Sequence, residues 1–354
     1  MESTGVYWKP VMRVLEADIP NVWIVNARHI KNVPGHKTDK MDSEWICKLL
    51  LAGLLKPSYI PPKEQRQLRD LTCYRNKLIQ TMETEKNRMM RVLEDCNIKL
   101  SSVVANTSGV TATALIVMLC EGRKLTMADI ESVYHKKLSA SPQGLLEACT
   151  GFVEEHHVYM LQMIRKSIAQ TQDLVDELSK RIKDMLIKYD NVLELLKEIP
   201  DFNTKIVEDL VSEIGLDMSA FPSEKHLASW AGICPGNNES VGKKSGRITH
   251  GNKQVKAVLT EAAWAATRTK NTFFSERYHR ISARRGKKRA LIAVAHSQLT
   301  AAYLILRTGA RYHESGAQYM QAKIEKKRKV YLTAELKRLG YKVSLEKEMK
   351  ATKS

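Results

Sequence analysis

One periodicity limits the folds open to this chain more than any other feature. Leu161, Ile164, Ile168, Thr171, Val175, Leu178, Ile182, Met185 and Tyr189 advance by alternating steps of three and four. A mean step of about 3.5 residues keeps an apolar seam on one side of a helix and lets it supercoil against a partner. The spacing predicts a coiled coil. Two partners are open: the stretch 64–97, folding back as an antiparallel hairpin, or the same helix of a second chain. The stretch 64–97 carries its own helical stripe in Leu68, Leu71, Leu78, Met82, Met89 and Val92.

At 354 residues the chain has room for two or three domains around that element. Residues 1–56 read as mixed α/β. Ser3-Thr4 can cap a helix running to about Ala17, and Val22 to Ala27 is a β-branched run expected to form a buried strand. Pro34-Gly35 reads as a turn, Thr38 as the cap of a second helix ending near Gly53, and Pro57 to Pro62 as a linker. Residues 101–150 read as short helices. Leu193 to Gly215 reads as helix, turn at Pro200-Asp-Phe-Asn203, helix; it has the outline of a helix-hairpin-helix without the usual turn glycines. A Gly/Asn/Ser-rich loop spans 231–252, with helices expected at about 252–269 and 287–308. The second of these is nearly all apolar from Ala290 to Leu306 and therefore buried. A charged helical tail begins at Tyr319. The expected class is mainly α, with a partial α/β N-terminal piece, a central coiled coil and a helical C-terminal domain. The expected divisions are 1–56, 57–190, 191–315 and 316–354.

Charge narrows the function. The net charge is +18, and residues 241–340 hold 23 Lys and Arg against Glu261, Glu276, Glu314, Glu325 and Glu335. That segment carries the whole excess, and the rest of the chain balances. A neutral body with one strongly basic third is the electrostatic footprint of nucleic-acid binding. The densest runs are Arg284-Arg285-Gly-Lys287-Lys288-Arg289 and Lys326-Lys327-Arg328-Lys329. Any one run could be a solvated helix face, but a segment this dense repels itself unless something neutralises it. Membrane binding would need an exposed apolar face and aromatics, and the segment offers little of either. The longest unbroken apolar stretch, Ala114 to Cys120, is far short of the ~20 residues of a membrane span. Glu2 and Lys9-Pro10 exclude a signal peptide, so a cytoplasmic protein is expected. Cys47, Cys73, Cys96, Cys120, Cys149 and Cys234 form no CxxC pair and read as reduced thiols. The adjacent His156 and His157 lack ligand-spaced companions for a metal.

Two motifs carry chemistry. Asp39 and Asp42 stand three apart on one helix, roughly 5–6 Å between Cβ atoms. With a third carboxylate they could hold Mg²⁺, a cation of oxygen ligands that serves phosphoryl transfer. Acids in a first helical turn also simply suit the helix dipole. The second motif is the loop Cys234 to Asn252, where Ser240 sits among glycines with Lys243, Lys244 and Arg247 close in sequence. A serine attacking a phosphodiester needs such cations at its transition state. A phosphate-binding loop without covalent chemistry needs them as well.

Four strings together resemble the transposases of insertion sequence family 110. They are Glu2-Ser-Thr-Gly-Val-Tyr-Trp-Lys-Pro10, His36-Lys-Thr-Asp39-Lys-Met-Asp42, Ala231-Gly-Ile-Cys-Pro235 through Ser240 to Gly251-Asn252, and Gly286-Lys-Lys-Arg-Ala-Leu-Ile-Ala-Val-Ala295. The resemblance covers essentially the whole chain. It implies an N-terminal RuvC/RNase H-like domain with an Asp-Glu-Asp-Asp tetrad, a coiled coil, and a C-terminal domain with a catalytic serine. It also implies a serine-dependent recombinase guided by an element-encoded RNA and acting on DNA, with Mg²⁺ as cofactor; the heptad seam and the separation of the two sites add the expectation of a dimer or tetramer. Carried over by residue, Glu2, Asp39 and Asp42 match three tetrad acids and so the metal ligands, and Ser240 matches the nucleophile. Lys243, Lys244 and Arg247 match phosphate contacts, and Arg284, Arg285, Lys287, Lys288 and Arg289 extend the nucleic-acid surface. Val241 stands where the family has glycine after the serine, which leaves Ser245, in Ser245-Gly246, as an alternative nucleophile. The first tetrad aspartate should lie on a strand well before Glu2, which is preceded only by Met1. An N-terminally truncated copy, a mis-called start codon or a decayed element is therefore expected. Its rivals are a remnant that only binds nucleic acid and a Mg²⁺ nuclease without serine chemistry.

Overall fold

The computed structural model describes residues 1–344 except 4, 20, 27–38, 137, 235–238, 241–242, 245–247, 249 and 315. At 39–42, 239–240, 243–244, 317–324 and 326–327 it describes the backbone alone. The expected turn at Pro34-Gly35 and the expected cap Thr38 lie outside the described residues.

The N-terminal piece is lightly built. Val25 is its centre, bridged in parallel to Glu2 on one side and antiparallel to Pro57 on the other. The Val25 N–H donates to the Met1 carbonyl (2.9 Å), the Ser3 N–H to the Val25 carbonyl (2.9 Å) and the Ser58 N–H to the Ile24 carbonyl (2.7 Å). The expected strand is thus a single bridged residue within an extended run, and the segment read as a linker is its neighbour. Pro57 has no N–H, so the antiparallel pairing cannot continue through it. Ser3 does not cap the first helix, because its backbone is committed to Val25. Helix α1, Trp8–Asp18, starts after a turn at Gly5, with Tyr7 as a cap lacking any side-chain bond. Pro10 falls in its first turn, where a missing N–H costs nothing. No residue of α1 is buried. Helix α2, Asp39–Leu51, packs Leu49 on Val25, with Trp45, Ile46 and Leu55 around them.

The two long helices α3, Lys63–Asp95, and α8, Glu155–Leu186, lie side by side. Lys188 meets Glu64 (2.8 Å) near one end and His157 meets Asp95 (3.3 Å) at the other, so the pair runs antiparallel within one chain. Of the seam residues, Leu161, Ile164, Val175 and Ile182 are buried, while Ile168, Thr171 and Leu178 are half-buried. Four short helices close the far end: α4 Leu100–Val103, α5 Val110–Cys120, α6 Met127–Val133 and α7 Pro142–Ala148. Their starts are encoded locally. Thr126 and Asp129 form a reciprocal capping box, and Ser141 accepts from the Gly144 N–H ahead of Pro142 at the first helical position. Leu93, Ile98, Leu115, Leu119, Ile130, Leu145 and Leu161 form their shared core. Each buried side chain of this size contributes about 1.5–3 kcal/mol.

The largest core lies in the C-terminal part. It is built by α9 Asp190–Lys197, α10 Thr204–Ile214, α11 Glu224–Ala231, α12 Lys253–Ala266, α13 Phe273–Arg285 and α14 Lys287–Thr308, with α15, Gly316–Arg338, beyond. The expected helix–turn–helix is present, and Asn203 closes its turn by accepting from the Ile206 N–H (2.9 Å). Helix α13 was not foreseen. Its apolar positions Phe274, Tyr278 and Ile281 keep helical spacing, but intervening cations obscure them; Thr272 caps it through the Ser275 N–H. Helix α14 is long and apolar enough to cross a membrane, alone among the described residues. Here it serves as a core helix. Ala290, Val294, Ala295, Leu299, Ala302 and Tyr303 are buried, and Tyr303 donates to the Phe221 carbonyl (2.9 Å).

Helix α10 joins this core to α3 through buried charge. The Arg75 guanidinium spans Glu208 and Asp209, Asn76 and Lys205 complete Asp209, and Thr72 meets Ser212 at 2.9 Å. Breaking such a buried pair by removing one partner costs roughly 3–5 kcal/mol, because a charge is left unpaired.

Candidate nucleic-acid interface and active site

The basic surface follows from one helix junction. Helix α13 ends in Arg284 and Arg285, where cations favour the C-terminal dipole. Gly286, at φ +84°, turns the chain, and α14 starts at once with Lys287, Lys288 and Arg289. Cations in a first turn oppose the dipole, and neither an acid nor a side-chain cap offsets them. Residues 283–289 are all exposed, and none of the five cations has an ion-pair partner among the described residues. Free N–H groups at a helix start, flanked by five unpaired cations, make a strongly anion-seeking surface.

The serine loop is described at its core and its base. Glu239–Ser240 and Lys243–Lys244 form a minimal antiparallel hairpin, with Ser240 directly opposite Lys243. Directly opposed residues have Cα atoms about 4.5–5.5 Å apart and share a face. The register therefore brings a lysine position alongside the serine position. Arg247 and the alternative Ser245 lie outside the described residues.

The loop's base is fixed by backbone contact. Helix α11 ends at Gly232, a left-handed cap at φ +70°. Gly251 lies against it so closely that a Cβ there would be 2.3 Å from the Gly232 nitrogen and 2.4 Å from the Ala231 carbonyl carbon. The Asn252 N–H donates to the Trp230 carbonyl (3.3 Å), and its side-chain oxygen caps α12 at the Gln254 and Val255 N–H groups. The Asn252 amide also donates to Glu213 of α10, whose same carboxylate oxygen meets Arg69 of α3 at 3.0 Å. A chain of named contacts thus joins the long helix to the end of the serine loop. Cys73 faces the same carboxylate at 3.9 Å, and burial, then the Glu213 charge, pushes its thiol pKa up. Sequence reasoning missed Glu213 and Arg69, because their connection spans two domains with no local pattern.

The carboxylates stand on the lightly packed piece. Glu2 is bridged to Val25, which packs on Leu49 of α2. Asp39, Asp42, Ile46 and Leu49 stand at helical steps of three, four and three, so both aspartate positions prolong the stripe that packs on Val25. Glu2 and the two aspartates are therefore tied to one small core. Three hard oxygen donors are a fitting set for Mg²⁺. Among the described residues no three His, Cys, Asp or Glu side chains come together, and the Asp39 and Asp42 side chains lie outside them.

The comparisons fall on these same regions. Residues 1–98 match the family model DEDD_Tnp_IS110, described as a transposase, and residues 193–279 match that of the Transposase IS116/IS110/IS902 family. The pilin gene-inverting proteins of Moraxella bovis and Moraxella lacunata are each 26% identical over 188 residues, covering 52% of this chain. The match takes in 57% of each relative's length. With one model on the carboxylate piece and the other on the core that holds the serine loop, the chain belongs to the IS110 family of transposases.

Proposed function

We propose that this chain is a DNA transposase that cuts and rejoins strands through a covalent Ser240–DNA intermediate. The observation that carries the DNA partner is the exposed, unpaired cation cluster at the α13–α14 junction. The relatives' name, which speaks of inverting a gene, favours recombination over binding alone.

In this reading the Ser240 hydroxyl oxygen attacks the phosphorus of a phosphodiester. An O–P bond forms to serine, and the bond to one strand's hydroxyl oxygen breaks. The serine proton leaves and the departing oxygen gains one. One phosphodiester replaces another, so attack by a new strand hydroxyl can reverse the step and rejoin DNA. Lys243, across the hairpin, with Lys244 and Arg247, would neutralise the charge that builds on the phosphorane. Glu2, Asp39 and Asp42 would hold Mg²⁺, which supplies further charge neutralisation at phosphate oxygens. Family resemblance adds a RuvC-like architecture for residues 1–56, a coiled coil over 57–190 and a guide RNA to the proposal, and the heptad seam with the separation of the two sites adds a homo-oligomer. The serine domain would then occupy 191–315 and the basic tail 316–354.

The test is a denaturing-gel search for a covalent adduct between the protein and labelled DNA spanning the ends of its own element, with the element's RNA and Mg²⁺ present. Ser240→Ala should abolish the adduct and leave DNA binding near wild type. An adduct that persists there and vanishes in Ser245→Ala would reassign the nucleophile.

A further inference from the structure

A second group of cations sits on α13, two to three turns before the exposed junction, and nothing in the motif reading used it. Arg277 and Arg280 are half-buried, and so is His296 on the neighbouring α14. The Arg277 Nε donates to the Ala293 carbonyl (3.3 Å) and its guanidinium lies over the Phe273 ring at 6.0 Å, which fixes the side chain along α14. His296 stands three positions after Ala293, on the same side of that helix. The Arg280 Nε is fully buried and has no hydrogen-bond partner. No carboxylate forms an ion pair with Arg277, Arg280 or His296 among the described residues; Glu224 is the one acid whose charge reaches His296.

This is an expensive arrangement for a protein to keep. An unsatisfied buried donor costs about 1–3 kcal/mol, more when charged. Two guanidinium groups one turn apart also repel each other where water screens them least. Burial and then Arg280 lower the Arg277 pKa, while burial and then Arg277 lower that of His296. The Arg75 Nε is likewise buried without a partner among the described residues, but the Arg75 guanidinium, unlike that of Arg280, is met by two acids. A half-buried pair left without acids is built to receive an anion from outside. Its position suggests which. Arg277, Arg280 and Arg284 follow one another along a single face of α13 and lead into the exposed cluster. Seven residues of helix cover about 10 Å, and that length of duplex axis carries about three phosphates of one strand.

We propose that Arg277 and Arg280, with His296 beside them, form a phosphodiester-binding site that continues the α13–α14 basic surface along the backbone of duplex DNA. The proposal rests on the reading of the chain as a DNA-acting protein, and its test separates the two. Arg280→Gln is the main variant, because Arg280 makes no hydrogen bond among the described residues that its loss would break. Arg277→Lys is the second, keeping charge while removing the planar fork.

The first measurement uses inorganic phosphate alone. Replacing chloride by phosphate at constant ionic strength should raise the melting temperature of the wild type clearly more than that of Arg280→Gln, which keeps only the exposed junction cations. Equal shifts in both proteins would overturn the site. The second uses a labelled duplex of about 20 base pairs titrated at several salt concentrations. Arg280→Gln should reduce the log–log salt slope by about 0.9, one phosphate's share. Arg277→Lys should keep the slope and weaken binding severalfold. A steep wild-type slope that Arg280→Gln leaves unchanged would overturn the proposal while sparing DNA binding. A slope that falls only with an RNA hairpin would overturn the assignment to DNA. A wild type that binds no duplex at all would overturn both readings, even if phosphate still stabilised it.

Discussion

The two sites proposed to act on one phosphodiester stand on scaffolds of very different stiffness. The serine loop is sprung from a base where two glycine backbones touch, held by Asn252, Glu213 and Arg69 and backed by the largest core in the molecule. Among the described residues, the carboxylates stand on a small core of the bridged Val25 and Leu49, with Ile24 buried beside them in the chain. Helix α1, between Glu2 and that valine, buries nothing. Local stability follows buried contacts, so the carboxylate piece opens far more readily than the serine loop's base. A metal site on a compliant support can be completed or withheld by whatever packs on it. A proposed nucleophile on a rigid base would keep its place while strands exchange.

The sharpest way to break that comparison is through the charge joint between α3 and α10. Arg75→Met leaves Glu208 without its partner in a buried site. A loss of about 3–5 kcal/mol in urea unfolding is expected. A loss below about 1 kcal/mol would mean that α10, and with it Glu213, is not held from α3.

The same substitution in the two regions gives the next largest contrast. Gly251→Ala would drive a Cβ into the backbone of Ala231 and Gly232. Backbone cannot move aside as a side-chain tip can, so a loss of about 3 kcal/mol is expected, at the upper end for overpacking. Gly53→Ala, just after α2, meets no atom within 4 Å and carries only the strain of φ +68°. It should cost about 1 kcal/mol. Thermal melts of both variants check the pair, and equal losses would remove the claim that the regions differ.

How much of this was legible in the sequence depended on the range of each interaction. The helix that carries the heptad seam, the Gly53 stop, the Asn203 turn and the buried α14 are written in spacing or in one residue's chemistry, and each stands in the structure. Two partners were open for the seam because periodicity specifies a face and not what meets it. Lys188–Glu64 and His157–Asp95 decide for the antiparallel hairpin, and they join residues 124 and 62 positions apart. Helix α13 escaped because Arg277, Arg280 and Arg284 break up its apolar rhythm, the same residues proposed above to meet phosphate. Val22 to Ala27 has the composition of a strand, yet a strand exists only where neighbours supply hydrogen bonds, and Pro57 supplies few. At the site, Ser240, Asp39 and Asp42 were readable as motifs. The Arg69–Glu213–Asn252 chain was not, since α3, α10 and the start of α12 meet only once the chain is folded.

A pH measurement sharpens the contrast with the helical end-piece closed by α4–α7. Burial of Cys149 pushes its thiol up to about 11, because the interior disfavours the thiolate. The folded state then holds a proton that the unfolded chain releases near pH 8.5. The stabilisation is fully present below that pH and is lost as pH rises through about 11. It amounts to roughly 2–3 kcal/mol. Cys149→Ala should flatten that alkaline decline in urea unfolding between pH 8.5 and 11. Exposed Cys47, on the N-terminal piece, should meanwhile be alkylated first by iodoacetamide in the native protein. Equal labelling of Cys47 and Cys149 at pH 8 would show that the two regions open alike.

The smallest expected effect tests the weakest joint. Helix α1 is tied down by Lys9–Asp70 at 3.3 Å and by Arg66, which meets both Glu16 oxygens at 3.0 Å. The first pair is well exposed, and such pairs contribute at most about 1 kcal/mol. Lys9→Ala with Glu16→Gln should therefore move global unfolding by less than about 1 kcal/mol. Its signature should be local. Amide exchange across Trp8–Asp18 should approach that of an open chain, while the Val25 amide, bonded to the Met1 carbonyl, keeps its protection. Raising salt in the wild type should reproduce the same pattern in part, because screening weakens exposed pairs first. If Val25 loses protection together with α1, the two form one cooperative unit. The ion pairs to α3 would then be what holds Glu2 in place, and the carboxylate piece would be stiffer than its small core implies.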